Sequence, residues 1–346
     1  MPPKAQRGVP AGTDEKSLTA ENFEKELKAL ATKAKEQTTF RSVMRSVAIV
    51  FQAAQILACA AIYSNISQLN LSPVYGSIPA SLWHSRLVIT ACLLGWSGNL
   101  WLQRNLPRKP IYFLAPIALT IPMIQHYLFL LSSYLGPTFG PVVTELLTFV
   151  PLLVMSGSAV ALMLEDLDLS GLPKSVAEAA PGIGSFVIYR AVEQFSWPYI
   201  LKNIGANMLQ TRVGSQVVLS AILARLAPST LLLFGLPGLF HTAFLNPHFQ
   251  SSFALFDLNL KLDQSVGFKV LARQDSVTGY ISVIENMREG YRVLRCDHSL
   301  LGGIWLPRDG ETVAESIYGV FSMLEAVRLV EVTRSVSSES ESALVM

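Results

Sequence analysis

Hydrophobic and polar positions follow two different periods in this chain, and the change between them divides it. From Val47 onward, long apolar runs follow one another, each near the ~20 residues that a bilayer-crossing helix needs. Four are nearly uninterrupted: Val47–Tyr63, Ile78–Leu102, Ile111–Leu135 and Phe139–Leu164. A fifth, Pro181–Ile200, carries Arg190 and Glu193. A sixth, within Val213–Leu245, carries Arg225 and several prolines, which predict a kink or break. The pattern predicts an α-helical polytopic membrane domain of about six spans over residues 47–245.

After a linker at 246–266 the period falls to two. Phe268–Ala272, Gly279–Glu285, Tyr291–Cys296 and Leu300–Trp305 read as strands. Asn286 and Gly290 bound a loop suited to a hairpin. Cys296, Asp297 and His298 read as a turn, because successive strand residues point to opposite faces and do not converge on one atom. Thr312 and Glu315 have capping-box spacing, and Ile317, Val320, Phe321, Leu324 and Val327 form a stripe, so a helix is expected to follow. The soluble module thus spans 267–341 as a small antiparallel β-hairpin and helix.

Residues 1–46 differ from both parts. Their start is rich in Pro, Gly and charge and reads as disordered, followed by a helix with Phe23, Leu27, Leu30 and Ala34 on one face. Basic residues concentrate here and in the connection holding Arg104, Arg108 and Lys109, which places both on the cytosolic side. With six spans, both termini are then cytosolic in an integral multi-pass protein whose main partner is the bilayer. Asn65 and Asn70 begin glycosylation sequons on the opposite side.

Composition agrees with lipid as a solvent. Hydrophobic residues make up 51% and charged ones 15%, against about 25% charged in soluble domains. A net charge of +2 is too small to suggest a nucleic-acid surface, and no nucleic-acid partner is expected. Cys59, Cys92 and Cys296 lack the spacing of a disulfide framework or a metal site.

Ionisable groups within the apolar runs are the first chemical candidates: Glu145, Arg190, Glu193 and Arg225, with His84 and Arg86 expected at an interface. Glu145 fits either a proton relay in a small-solute transporter or an interhelical partner such as Arg190 or Arg225, the simpler reading.

The soluble module resembles the N-terminal part of the spermidine/spermine synthase (aminopropyltransferase) family, in the form fused behind a multispan membrane region. Ser276, Ile281, Val283 and Glu285 match the family's strand motif, Leu294 and Asp297 the following strand and turn, and Glu315 and Tyr318 its helix motif. The resemblance implies aminopropyl transfer from decarboxylated S-adenosylmethionine to a polyamine, with Tyr318, Asp297 and Ser276 on the substrate side, and a homo-oligomer formed through the module. It also implies that Ser342–Met346 begins a Rossmann-like domain whose glycine loop and catalytic aspartate lie beyond Met346, leaving this chain catalytically incomplete. The positions where the family has contacting Gln or His are Gly279 and Gly319 here. A transporter and a non-enzymatic scaffold are the alternatives.

Overall fold

The computed structural model describes residues 20–167, 173–297, 299–307 and 315–317. It divides into two compact units, residues 1–51 and 52–346. The described part of the first is the start of helix α1 (Ala20–Tyr75). Phe40, Val43, Met44, Val47 and Phe51 are all exposed on it.

The second unit is a helical bundle carrying a sheet. From Gln52, α1 runs on to Tyr75 and turns at Gly76 (φ 92) into α2 (Ser77–Ser97) and the short α3 (Asn99–Asn105). A single turn at Pro110–Phe113 leads into α4 (Leu114–Leu130). Next come α5 (Ser132–Leu147), α6 (Phe149–Leu164) and α7 (Lys174–Asn203). Helices α8 (Arg212–Leu226), α9 (Leu232–Phe240, widening through His241–Leu245) and α10 (Ser252–Val266) follow.

Side-chain contacts fix the direction of each helix. Tyr63 Oη donates to the Ala118 carbonyl and Asn70 Nδ2 to Gln125 Oε1, so α1 and α4 run the same way. His84 meets Glu145 and Gly95 meets Gly157, so α2 and the α5–α6 pair run together, opposite to α1. Gly95 permits that approach, because a Cβ there would lie 2.6 Å from the Val154 carbonyl oxygen. α7 passes Trp96 at Gly182 and Ser64 at Glu193, running with α1. α8 returns, from Gln216 beside Gln125 to Leu226 beside Gln52. One end of the bundle therefore holds the basic connection, where Arg108 donates to Thr230 and Asn99 to Glu165. The sheet sits at the other end.

The sheet is an antiparallel meander: β1 (Phe268–Asp275), β2 (Tyr280–Asn286), β3 (Tyr291–Cys296), β4 (Ser299–Trp305) and the two-residue β5 (Glu315–Ser316). A bulge between Val270 and Ala272 interrupts the β1–β2 ladder. Asn259 of α10 clamps that point, accepting from the Val270 N–H at 2.8 Å and donating to its carbonyl at 3.1 Å. The Asn286–Gly290 loop forms as expected, with Asn286 Oδ1 accepting the N–H groups of Arg288 and Glu289 and Gly290 at φ 73.

Three expectations are corrected. Among the described residues three helical stretches, not about six, are long and apolar enough to cross a membrane: Phe40–Tyr75, Ser77–Ser97 and Pro110–Leu130. A fourth appears only if α5 and α6, bent by 40°, count as one. The expected span Phe139–Leu164 breaks at Thr148, and the expected sixth splits around Ala227 into helices too short to cross. The loop expected to expose Asn65 and Asn70 does not exist, since α1 continues to Tyr75 and buries both amides. Finally, Glu315 lies in a strand paired with Trp305 rather than in a helix's first turn. The remainder of that expected helix lies outside the described residues, and so do the expected Rossmann start at Ser342 and Gly319.

Candidate functional site

Two polar assemblies interrupt the apolar interior. The first is a buried chain across α1, α2, α5 and α7. Glu145, 0% exposed, accepts from Ser67 Oγ at 2.8 Å and faces His84 Nδ1 at 2.9 Å, both on Oε1. His84 Nε2 lies 2.9 Å from Ser64 Oγ, which donates to Glu193 Oε1 at 2.9 Å. Arg190 closes the chain on the exposed side by donating to Glu193. Ser64 has one hydroxyl proton and spends it on Glu193, so His84 Nε2–H must donate to Ser64. A single proton then remains to be shared between His84 Nδ1 and Glu145 Oε1. Tyr63 and His84 both stack on Phe149, which seals the pair from one side.

The second assembly is a cavity of about 420 Å³ at the sheet end of the bundle. Its helical walls come from Asn70 in α1, Gln125 and His126 in α4, and Arg212 and Gln216 in α8. The sheet contributes Asp275, Tyr280, Arg295 and Asp297, and the segment after α9 contributes His248. Arg212 fastens the two walls. Its backbone N–H donates to Asp275 Oδ2 at 2.8 Å, its Nη1 approaches Oδ1 at 3.5 Å, and its Nη2 donates to the Ser276 carbonyl at 2.6 Å. Burial pushes the Asp275 carboxyl above the usual carboxylate range, and the Arg212 guanidinium pulls it back.

The turn facing the cavity is built on glycine. Asp297, itself at φ 49, accepts the Tyr280 N–H on Oδ1 at 2.8 Å. A Cβ on Gly279 would stand 1.9 Å from Asp297 Oδ2. His248 lines the cavity with its side chain exposed and its ring edge-on to Tyr280, centroids 5.4 Å apart. Desolvation by the surrounding protein pushes its imidazole down to about 4, reinforced by His126 and by the Arg273 and Arg212 guanidiniums. Burial likewise raises the Tyr280 phenol to about 12, against the pull of Arg273. Gln125 Nε2, Gln216 Oε1 and Arg212 Nε are buried without a hydrogen-bond partner among the described residues.

The candidates thus fall into separate places. Asp297 belongs to the cavity's sheet wall, Ser276 accepts from Arg212 Nη2 on its carbonyl, and Tyr318 lies outside the described residues. Glu145 and Glu193 belong to the buried chain. Arg190 pairs with Glu193, and Arg225 is exposed in the last turn of α8. Neither arginine is the partner of Glu145; that partner is His84, which is buried rather than interfacial. Asp275, Arg212, His248 and Tyr280 escaped the sequence reading. The one available signal was Arg212, a cation opening an apolar helix.

No family model matches the chain, and no solved structure matches it. A curated relative does: an N-terminal histidine N-methyltransferase of Emericella nidulans, 38% identical over 288 residues. The match takes in 82% of this chain and 51% of that protein, so the chain spans about half the length of the relative. Wherever it starts, a continuous match of that extent includes everything from α2 to β1. This finding overturns the resemblance to spermidine/spermine synthases and, with it, polyamine biosynthesis and aminopropyl transfer. It likewise leaves a transporter or a non-enzymatic scaffold without support. The sheet motif is real as a fold element and misled as a label.

Proposed function

We propose that this chain is the acceptor-binding, bilayer-embedded portion of a methyltransferase that acts on a histidine at a protein amino terminus. The observation that carries the reading is the extended match to the Emericella nidulans enzyme, which runs through the bundle as well as into the sheet. Intact S-adenosylmethionine, rather than its decarboxylated form, is the methyl donor of the reaction. The apolar exposure of Ile89, Leu93, Tyr127 and Leu130 on α2 and α4 supports a lipid surround for the bundle.

The described residues do not fit the donor's nucleoside. A nucleoside seat needs a glycine turn that lets backbone approach and an acid for the ribose. Gly182 and Gly184 stand in the middle of α7, where a Cβ on Gly182 would meet the Trp96 indole at 3.0 Å. The cavity beside them, about 490 Å³, is walled almost wholly by apolar side chains such as Leu57, Ile89 and Phe186. The part assigned to this chain is therefore the acceptor side: to admit the amino terminus, orient its ring and exclude water.

A chimera tests the reading. This chain replaces the corresponding half of the Emericella nidulans enzyme, and the product receives S-adenosylmethionine and a peptide beginning with histidine. A mass gain of one methyl on that residue is expected. A folded chimera that leaves the peptide unmodified while the parent enzyme methylates it would sink the proposal.

A further inference from the structure

Resting on the methyltransferase reading, we propose that the cavity between α1, α4, α8 and the sheet is the acceptor seat. Asp297 takes the amino-terminal ammonium there, and His248 with Tyr280 orients the histidine ring.

A peptide amino terminus brings a cation, a ring and a peptide link into one small volume. At about 420 Å³ the cavity falls within the range of small-ligand sites, roughly 300–1,000 Å³, and suits one residue and the start of the next. Two carboxylates line it. Asp275 is committed to Arg212 on both oxygens. Asp297 is half-buried on the turn and receives the Tyr280 N–H on Oδ1. An ionised carboxylate offers about four lone-pair sites, so it can take an ammonium beside the partners it already has. Gly279 holds space for Oδ2, which any side chain at that position would fill.

The ring is met by groups with matching needs. Tyr280 Oη is buried beside the Arg273 guanidinium, and His248 stands edge-on to the same ring. Kept uncharged near neutral pH by desolvation and by the arginines around it, His248 neither repels the arriving ammonium nor requires an anion. It can accept the N–H of the acceptor's imidazole, which leaves the opposite ring nitrogen with its lone pair outward, as a methyl acceptor must be. Gln125 Nε2 and Gln216 Oε1 add one unmatched donor and one unmatched acceptor, the complement of a peptide link's C=O and N–H. His248 and Asp297 are positioning residues in this arrangement.

The test uses the 346-residue protein in detergent and a fluorescent peptide beginning His-Gly with a free amino terminus. The same peptide acetylated, and one beginning Ala-Gly, are the comparisons. Binding of the free His-Gly peptide, weakened by either change, is the expected result. Asp297→Asn keeps the acceptor for the Tyr280 N–H and removes the charge. It should weaken binding about tenfold to a hundredfold, the worth of a charge-assisted hydrogen bond. His248→Leu should abolish the preference for histidine over alanine, and His248→Gln should restore part of it. Equal affinity for free and acetylated peptides overturns the proposal, and this comparison needs no variant to fold. A chimera that methylates while ignoring Asp297 and His248 overturns the seat and leaves the methyltransferase reading standing. Binding that follows both residues, with a chimera that never transfers a methyl, does the reverse.

Discussion

His84 Nδ1 lies 2.9 Å from Glu145 Oε1, with both side chains buried and one proton between them. Either the pair is an ion pair or it is a neutral acid facing a neutral ring, and in both cases Nδ1 and Oε1 satisfy each other. Removing one member strands the other in an apolar interior, where an unmade hydrogen bond costs about 1–3 kcal/mol. Glu145→Leu should therefore lower the thermal transition of the detergent-solubilised protein more than Glu145→Gln, whose amide still accepts from Ser67. His84→Leu combined with Glu145→Leu should cost less than the sum of the two. Strict additivity would show that the pair does not interact.

The join between bundle and sheet rests on a second buried pair. Arg212 and Asp275 are both under a tenth exposed, and breaking such a pair from one side costs about 3–5 kcal/mol. Asp275→Leu leaves the Arg212 guanidinium buried and uncompensated, so the sheet should loosen from the bundle before the bundle melts. Limited proteolysis reads this as early cleavage between Gly205 and Arg212. Wild-type cleavage rates in Asp275→Leu would contradict the assigned role.

Two glycines at positive φ give a contrast that separates strain from collision. Gly290 stands at φ 73 with nothing near its missing Cβ, so Gly290→Ala should cost only the left-handed penalty, about 1–2 kcal/mol. Gly279 stands at φ 154 with Asp297 Oδ2 in the way. Gly279→Ala should cost more, and it should also lower affinity for the His-Gly peptide, because Asp297 must move. Equal losses of stability with unchanged binding would remove Asp297 from the turn's function.

Acid should act through His248. Its folded value is about 4 against the ordinary 6.5, so the unfolded chain takes up a proton first as pH falls. Stability carried by the uncharged ring is present above about 6.5 and lost progressively between there and about 4. Asp275 works in the opposite direction, since its raised carboxyl takes up a proton more readily when folded. His248→Gln should flatten the fall of the thermal transition between pH 6.5 and 4. An unchanged slope would place the sensitive group elsewhere.

The sheet was legible because period-two alternation and turn residues are local. Phe268, Asn286, Gly290 and Trp305 each mark an element boundary without reference to the rest of the chain. The bundle was half legible. Apolar runs signal burial in lipid or protein alike, so hydropathy did not distinguish a break at Thr148 or an extension of α1 through Asn65 and Asn70. The cavity was hardly legible at all. Asn70, Gln125, Arg212, His248 and Asp275 are scattered over some two hundred positions, and each has an innocent local reading as a polar residue near a helix end. Only the pairing of α1, α4 and α8 with β1 brings them together.

Helix directions lead to a topology that differs from cytosolic placement of the C-terminal sheet. In a bilayer-crossing bundle, the positive-inside rule would put the connection with Arg104, Arg108 and Lys109 on the cytosolic side. Arg108 bonds to Thr230, and Asn99 bonds to Glu165, so the ends of α6 and α8 lie at that same face. Arg212, at the opposite end of α8, holds the sheet through Asp275 and Ser276. If the bundle crosses a bilayer, the sheet and its cavity face away from the cytosol. An epitope inserted in the exposed Asn286–Gly290 hairpin should then resist protease in sealed microsomes and become cleavable once detergent is added. An epitope inserted beside Lys109 should be cut in the intact vesicles. Cleavage of both epitopes without detergent would put the two bundle ends on one side of the membrane, and the acceptor would then have to approach from the cytosol.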